Sequence, residues 1–340
     1  EEIFWNILMK KINKKNLVVL TMGDPSGIGT EITIKSWKSK KIKTPFFVIH
    51  DPSYVEKIIK KMGVKVKIKI IDHPKDALKH FKNYLPVFAI KIDKKTKLGF
   101  PNKKNSRSIL ESINKAVYFV KNGDATSMVT NPISKEIINK IQKNFKGHTE
   151  YLAKKDKQKS FCMMMINSKI KAVPLTTHLP LRKVSQNISE KLIVETSKLI
   201  HKTLKKDFKK GNPKIAITGL NPHSGDKGVI GDEEKKIIIP AIKKCKKRKI
   251  RINGPISADS AFISSNLKTY DAFLCMYHDQ ALIAAKVIDF ENTVNYTAGL
   301  SYVRTSPDHG TGYDISKKFI ANEASLISAI NTSILISKNR

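Results

Sequence analysis

Short β-branched runs alternate with amphipathic segments along nearly all of this 340-residue chain. That alternation limits the possible folds more than any other feature. Leu17–Gly23, Phe46–Asp51, Val66–Ile71, Ser127–Pro132, Phe161–Asn167, Lys171–His178, Lys214–His223 and Ala272–His278 read as strands. Residues 107–123, 189–208 and 232–249 carry apolar side chains at three- and four-residue spacing, the period of a helix with one buried face. Ser189 followed by Glu190, and Asp232 followed by two glutamates, read as helix starts with acids at the positive end. Gly123 reads as a helix stop. Strands interleaved with helices over the whole length imply an α/β protein with mainly parallel sheets. The length suits two domains, although no repeat, linker or shift in composition marks a boundary.

The formal charge is +35, from 64 Lys and Arg against 29 Asp and Glu. Such a balance raises the question of a nucleic-acid or membrane partner. Only six of the basic residues are arginine (Arg107, Arg182, Arg248, Arg251, Arg304 and Arg340), and the lysines are spread throughout. There is no aromatic-interleaved basic motif, zinc finger or basic heptad. The charge therefore reads as a lysine-rich surface that attracts anionic substrates, not as a nucleic-acid interface. No apolar run approaches the roughly 18–20 residues that cross a bilayer, so no membrane association is expected. Residues 1–16 lack the basic start, long apolar core and small-residue cleavage site of a secretory leader. Met9 reads as a natural start, with residues 1–8 as an upstream extension. Cys162, Cys245 and Cys275 are isolated and odd in number, which fits a reducing cytoplasm and excludes a disulfide framework.

Ligands of open parallel sheets bind beyond the carboxyl ends of strands, so the residues after each strand are the ones to read. "GDPSGIGTE" (Gly23–Glu31) follows the first strand. It can cradle phosphate on backbone N–H groups or serve as a structural turn, and it matches neither dinucleotide nor P-loop spacing. His50 and His73 lie in turn-like settings. His178, His223 and His278 have denser polar company: Thr176 and Thr177 before the first, Asn221 and Asp226 around the second, Asp279 and Gln280 after the third. Three imidazoles from three strand ends can converge on one divalent cation and leave positions open for substrate. Separate hydrogen-bonded histidines are the alternative. In "GHTEYLA" (Gly147–Ala153), His148 and Thr149 can donate to an anion, or Thr149 can simply cap a helix. Lys286 sits in the apolar stretch "ALIAAKVIDF", either snorkelling or held at a site. Arg304 follows Asn295 and is notable where lysine is the rule, because a guanidinium offers fork geometry to anions. "SPDHGTGYD" (Ser306–Asp314) suits a cofactor or a plain turn.

Taken together and in order, "GDPSGIGTE", "GHTEYLA", "TTHLPLR", "GLNPHSGDKGVIGDEE", "GPISADSAF", "MYHDQALIAAK" and "VNYTAGLSYVRTSPDHGTGYDIS" resemble the 4-hydroxythreonine-4-phosphate dehydrogenase family of pyridoxal phosphate biosynthesis. The resemblance runs from Leu17 to about Ile330. It implies a two-domain isocitrate/isopropylmalate dehydrogenase-like fold with an interdomain cleft. Residues 9–130 with 271–340 would form the cofactor-side domain, and 131–270 the dimerisation and metal side. It implies a cytoplasmic homodimer whose metal site (Zn, Mg or Co) is shared between subunits. His178, His223 and His278 match the metal ligands, and His148, Thr149, Lys286, Asn295 and Arg304 match the substrate-binding residues. Asp308, Gly310 and Thr311 fall in the loop that resembles the nucleotide-binding loop of the wider superfamily. The implied reaction is metal-dependent NAD(P)+ oxidation of 4-(phosphooxy)-L-threonine followed by decarboxylation, with Lys286 and Asp259 as candidates for proton transfer. Tyr151, Ser257 and Ser301 depart from the family pattern, where Phe, Pro and Pro are usual. Those departures keep a related dehydrogenase of another hydroxy acid, such as a phosphothreonate, as the alternative activity. A nucleic-acid-binding protein is the non-enzymatic alternative.

Overall fold

The computed structural model describes residues 16–340; the reading of Met9 and residues 1–8 lies outside them. Two compact units emerge. The first comprises the chain through Tyr151 with Tyr302–Lys338, and the second Leu152–Ser301 with Asn339–Arg340.

The first unit carries β1 (Val18–Leu20), β2 (Phe46–His50), β3 (Ile68–Ile71), β4 (Leu85–Ala89), β5 (Ser127–Val129) and β12 (Val303–Pro307). They pair in the order β3-β4-β2-β1-β5-β12, all parallel. Every residue of β1, β2, β5 and β12 is buried, as expected where helices cover both faces of a parallel sheet. The connecting helices are α1 (Gly29–Lys38), α2 (Pro52–Met62) and α3 (Ser106–Lys121). The bounds of α2 follow from local chemistry. Asp51 accepts from the Tyr54 N–H at 3.2 Å, Pro52 fits the first turn, and Gly63 closes the helix at φ 64°. Helix α4 (His148–Lys155) begins at His148.

The second unit carries β6 (Cys162–Ile166), β7 (Lys171–Thr176), β8 (Lys214–Thr218), β9 (Arg251–Ile256), β10 (Ala272–Tyr277) and β11 (Val294–Ala298). The order is β11-β6-β7-β10-β8-β9. Strand β6 runs antiparallel to both neighbours, while β7, β10, β8 and β9 are parallel. Helices α5 (Glu190–Asp207), α6 (Ile239–Lys247) and α7 (His278–Ile288) pack on this sheet, whereas α8 (Ala324–Asn339) belongs, all but its last residue, to the first unit. Ala281 and Ala285 of α7 meet Met165, Ala172, Phe273 and Cys275 in one core cluster. All three cysteines are buried and free, and among the described residues no helix is long and apolar enough to cross a membrane.

The α/β class with mainly parallel sheets is as expected. The division differs. Strand β10 lies between β7 and β8, and β11 pairs with β6, so residues 271–301 belong to the second unit. Residues 131–151 stay with the first. The change of unit falls between Ser301 and Tyr302, where no compositional break marks it in the sequence.

His50 shows how a histidine at the end of a strand can be purely structural. Its Nδ1 accepts from the Asp51 N–H at 2.7 Å, so Nε2 carries the proton and donates to Thr30 Oγ1 at 2.9 Å. Burial pushes the imidazole down from 6.5 to about 4, against the opposing pull of Asp51. The unfolded chain takes up a proton below pH 6.5 that the native state resists. Stability is therefore full above that value and falls as pH drops toward 4, by about 3 kcal/mol from this group. Urea unfolding of wild type and His50→Gln at pH 7.5 and pH 4.0 checks this; the variant is expected to lose less stability on acidification by about that amount.

Candidate active site

The register of three adjacent parallel strands puts three histidines on one sheet edge. Thr176 of β7 is aligned with Tyr277 of β10. His178 follows two residues later on one strand and His278 one residue later on the other. Their ring centroids are 6.0 Å apart. Thr176 Oγ1 donates to the Met276 carbonyl at 2.9 Å and pins the two strand ends together. Strand β10 passes into α7 without a loop, so His278 is the first residue of that helix. Its Nδ1 meets Asp279 Oδ1 at 2.7 Å. With Nδ1–H donated to the carboxylate, Nε2 keeps a lone pair turned away from it, the arrangement that orients imidazole ligands.

His223 follows β8, the other neighbour of β10, on the same carboxyl edge. It lies in an exposed loop whose backbone is left-handed for five consecutive residues: His223 at φ 51°, Ser224 at 53°, Gly225 at 79°, Asp226 at 40° and Lys227 at 56°. Each non-glycine residue there costs about 1–2 kcal/mol, so the surroundings must enforce the shape. Asp259 interacts electrostatically with His223, and its carboxyl is held below the usual range, chiefly by a hydrogen bond with the Ser257 side chain. It is an exposed, ionised carboxylate at neutral pH. Among the described residues of the single chain, no three His, Cys, Asp or Glu side chains gather as a cation site. The structure thus brings His178 and His278 together and leaves His223 outside that pair.

The expected anion residues divide between the two units. In the first, Arg304 on β12 is only 2% exposed. Its Nε and Nη2 donate to Thr130 Oγ1 at 3.2 and 2.6 Å. Burial lowers its guanidinium to about 10, still charged at neutral pH, while Tyr302 and Glu150 act in the opposite direction. His148 opens α4 beside it. Burial first, and then the cations of Arg304 and Lys135, hold His148 well below the ordinary imidazole value, so the ring is neutral. Its Nε2 is buried with no hydrogen-bond partner, which marks a place for a ligand atom. Thr149 is the next residue of the same helix. Lys135 joins this cluster without any sign in the sequence, being one lysine among very many.

In the second unit, Asn295 lies on β11 opposite Met165. Its Oδ1 is likewise buried without a partner. Lys286 lies in α7, two helical turns beyond His278, with Nζ 5.5 Å from the Phe290 ring centroid.

The glycine loop after β1 proves to be committed to structure. The Ser26 and Gly27 amides bond to Asp24, and the Ile28 N–H donates to the Thr311 carbonyl at 2.9 Å. A Cβ on Gly27 would stand 2.4 Å from that carbonyl oxygen, so glycine is needed for packing. Tyr313 donates to Asp24 at 2.7 Å, and burial raises the Asp24 carboxyl. In the expected cofactor loop, the Asp308 N–H is held by Ser325 Oγ at 3.2 Å, Thr311 meets Gly27, and a Cβ on Gly310 would face open space.

A profile of the family described as pyridoxal phosphate biosynthetic protein PdxA matches residues 41–333. The chain belongs to the PdxA family. A 4-hydroxythreonine-4-phosphate dehydrogenase of Methylorubrum extorquens is 38% identical over 322 residues, covering 92% of this chain and 92% of that protein. A Sulfurihydrogenibium enzyme of the same name is 38% identical, covering 95% and 99%. The crystal structure of the Klebsiella pneumoniae 4-hydroxythreonine-4-phosphate dehydrogenase matches with a TM-score of 0.85 at 29% identity, over 95% of this chain and 99% of that one.

Within this PdxA chain, the three departures are each tied into the structure. Tyr151 donates its hydroxyl to Asn114 Oδ1 at 2.8 Å. Ser301 gives Asp156 two bonds, from N–H and from Oγ, each 2.6 Å; a proline there would lack the first donor. Ser257 accepts from the Ser260 N–H at 3.2 Å and holds Asp259. Glu234, which reads in the sequence as part of a plain acidic helix start, is instead buried and bonded to the His223 loop.

Proposed function

We propose that the chain is a 4-hydroxythreonine-4-phosphate dehydrogenase in pyridoxal 5'-phosphate biosynthesis. It oxidises the 3-hydroxyl of 4-(phosphooxy)-L-threonine; the hydride passes to NAD(P)+ and the hydroxyl proton leaves. The bond from C2 to the carboxylate of the resulting β-keto acid then breaks, CO2 leaves, and the enolate left behind takes up a proton at C2 to give 3-amino-2-oxopropyl phosphate. The observation that carries the proposal is the strand register placing His178 and His278 side by side at a carboxyl edge, in a chain matched over nearly its full length by relatives of that name.

The imidazoles fit a divalent cation (Zn, Mg or Co): they offer ring nitrogens at the ends of adjacent strands, and Asp279 orients one of them. His178, His223 and His278 would hold the ion, with a second copy of the chain in a homodimer completing a set that the described residues of one chain do not assemble. Such an ion supplies Lewis acidity toward the oxygen being oxidised. The remaining tasks fall to the chain's own residues. Arg304 and neutral His148, with Thr149, offer donors suited to a phosphate dianion. Asn295 and Lys286 offer an amide and a cation in the second unit. Asp259, held ionised, is a weak proton acceptor, so Lys286 is the proposed proton-transfer group and Asp259 a partner of His223. Asp308, Gly310 and Thr311 remain the proposed cofactor loop.

A substrate panel tests the reading. NADH or NADPH should form with 4-(phosphooxy)-L-threonine, stop on chelation and return with Co2+, Zn2+ or Mg2+. Turnover of a phosphothreonate in its place would reassign the substrate, and chelator-insensitive turnover would remove the metal from the mechanism.

A further inference from the structure

We propose that Glu234 is the positioning residue that sets the loop bearing His223; this rests on the reading of His223 as a metal ligand. The loop leaves β8, turns left-handed at His223 and returns to α6. Four of its five left-handed residues are not glycine, so it does not hold that shape by its own preference.

What enforces it is a buried carboxylate, 3% exposed. Glu234 Oε1 accepts from the Leu220 and Asn221 backbone N–H groups at 2.7 and 2.8 Å, and Oε2 accepts from Asn221 Nδ2 at 2.9 Å. Charge-assisted bonds of this kind are the stronger ones. Two glycines let the loop wrap this closely. A Cβ on Gly225 would lie 2.6 Å from Oε2, and one on Gly219 would lie 3.1 Å from Oε1 and 2.8 Å from Ser224 Oγ. The root of the loop is also fixed to the histidine next door. Gln280 Nε2 donates to the Gly219 carbonyl at 3.0 Å, while its Oε1 accepts from Thr218 Oγ1 at 3.0 Å and from the Met276 N–H at 2.8 Å. Glu234 thus orders the segment carrying His223, and Gln280 ties that segment to the strand end carrying His278. Neither touches substrate; both act through the ligands they place.

The test uses the full-length protein with Co2+ as the probe. Titration calorimetry and the visible Co2+ spectrum report binding, and hydrogen exchange of the 219–231 segment reports loop order. Glu234→Ala is expected to weaken Co2+ binding at least tenfold and to speed exchange in 219–231 while the strands keep their protection. Glu234→Gln, which retains an acceptor for both backbone amides, is expected to recover most of the affinity. His223→Ala should lose Co2+ affinity yet keep the loop protected, separating ligand from positioner. Should Glu234→Ala fail to fold, Gly225→Ala decides, with the same two losses expected. Unchanged loop exchange, or a loosened loop with wild-type Co2+ affinity, overturns the proposal. A wild-type protein that binds no Co2+ instead overturns the metal reading, and loop exchange alone then judges Glu234.

Discussion

His278→Ala is expected to lower kcat/KM for NAD(P)+-linked oxidation by about a thousandfold or more and to leave the protein folded. The two halves of that expectation have separate causes. Loss of an imidazole from the proposed three-nitrogen site would remove most of the Lewis-acid contribution, and several kcal/mol of transition-state stabilisation corresponds to about 10³ in rate. The fold has little at stake. His278 is partly exposed, its hydrogen bond is to the neighbouring, exposed Asp279, and alanine is the best residue for a helix. The core beneath is made by Ala281 and Ala285, which the substitution leaves alone. Steady-state kinetics with and without added Co2+, beside the urea midpoint, check both halves. Residual turnover equal to that of the chelated wild type is the expected floor. A variant within tenfold of wild type would mean that the register of β7 and β10 places these rings for some other purpose.

The parts of the fold legible in the sequence are those where burial is uniform. Strands such as "FFVIH" and "AFLCMY" are apolar up to their last residue because both faces are covered. Strands β4, β9, β11 and β12 escape notice because each carries a residue that argues against a strand: Pro86 in β4, Gly254 and Pro255 in β9, Asn295 in β11, Arg304 in β12. For β11 and β12 that residue is also a candidate ligand contact, so the local rule fails where function is proposed. The histidines after strands were findable because an open sheet sends its ligands to one edge. His50 reads as part of a turn, yet it is the last residue of β2, and its bonds to Thr30 and Asp51 show why it is structural. The supporting partners were out of reach for another reason. Arg304 is held by Thr130, 174 residues away, and Gln280 reaches Gly219 across 61 residues. No spacing rule spans such distances. Glu234 reads as a helix-start acid because that role needs only local sequence, whereas its actual partners depend on how the loop folds back.

Removal of Arg304 is the second large effect, and it should fall on substrate binding. Arg304→Ala is expected to raise KM for the phosphorylated substrate about a hundredfold or more, with a smaller change in kcat. A charge-assisted bond is worth about 1.5–3 kcal/mol, and a buried anion left without its cation loses more than an exposed one would. Arg304→Lys should recover only part of the loss, since an ammonium keeps the charge but not the planar fork. A second readout follows from His148. Arg304 is one of the two cations holding that imidazole down, after burial itself. Its removal should let His148 take up a proton at higher pH than in wild type, and NMR titration of the ring would follow the shift. If KM stays near wild type while the His148 titration moves, Arg304 shapes the local field without touching the substrate. If neither moves, the buried guanidinium on β12 serves the structure, and the anion pocket must be sought elsewhere in the chain.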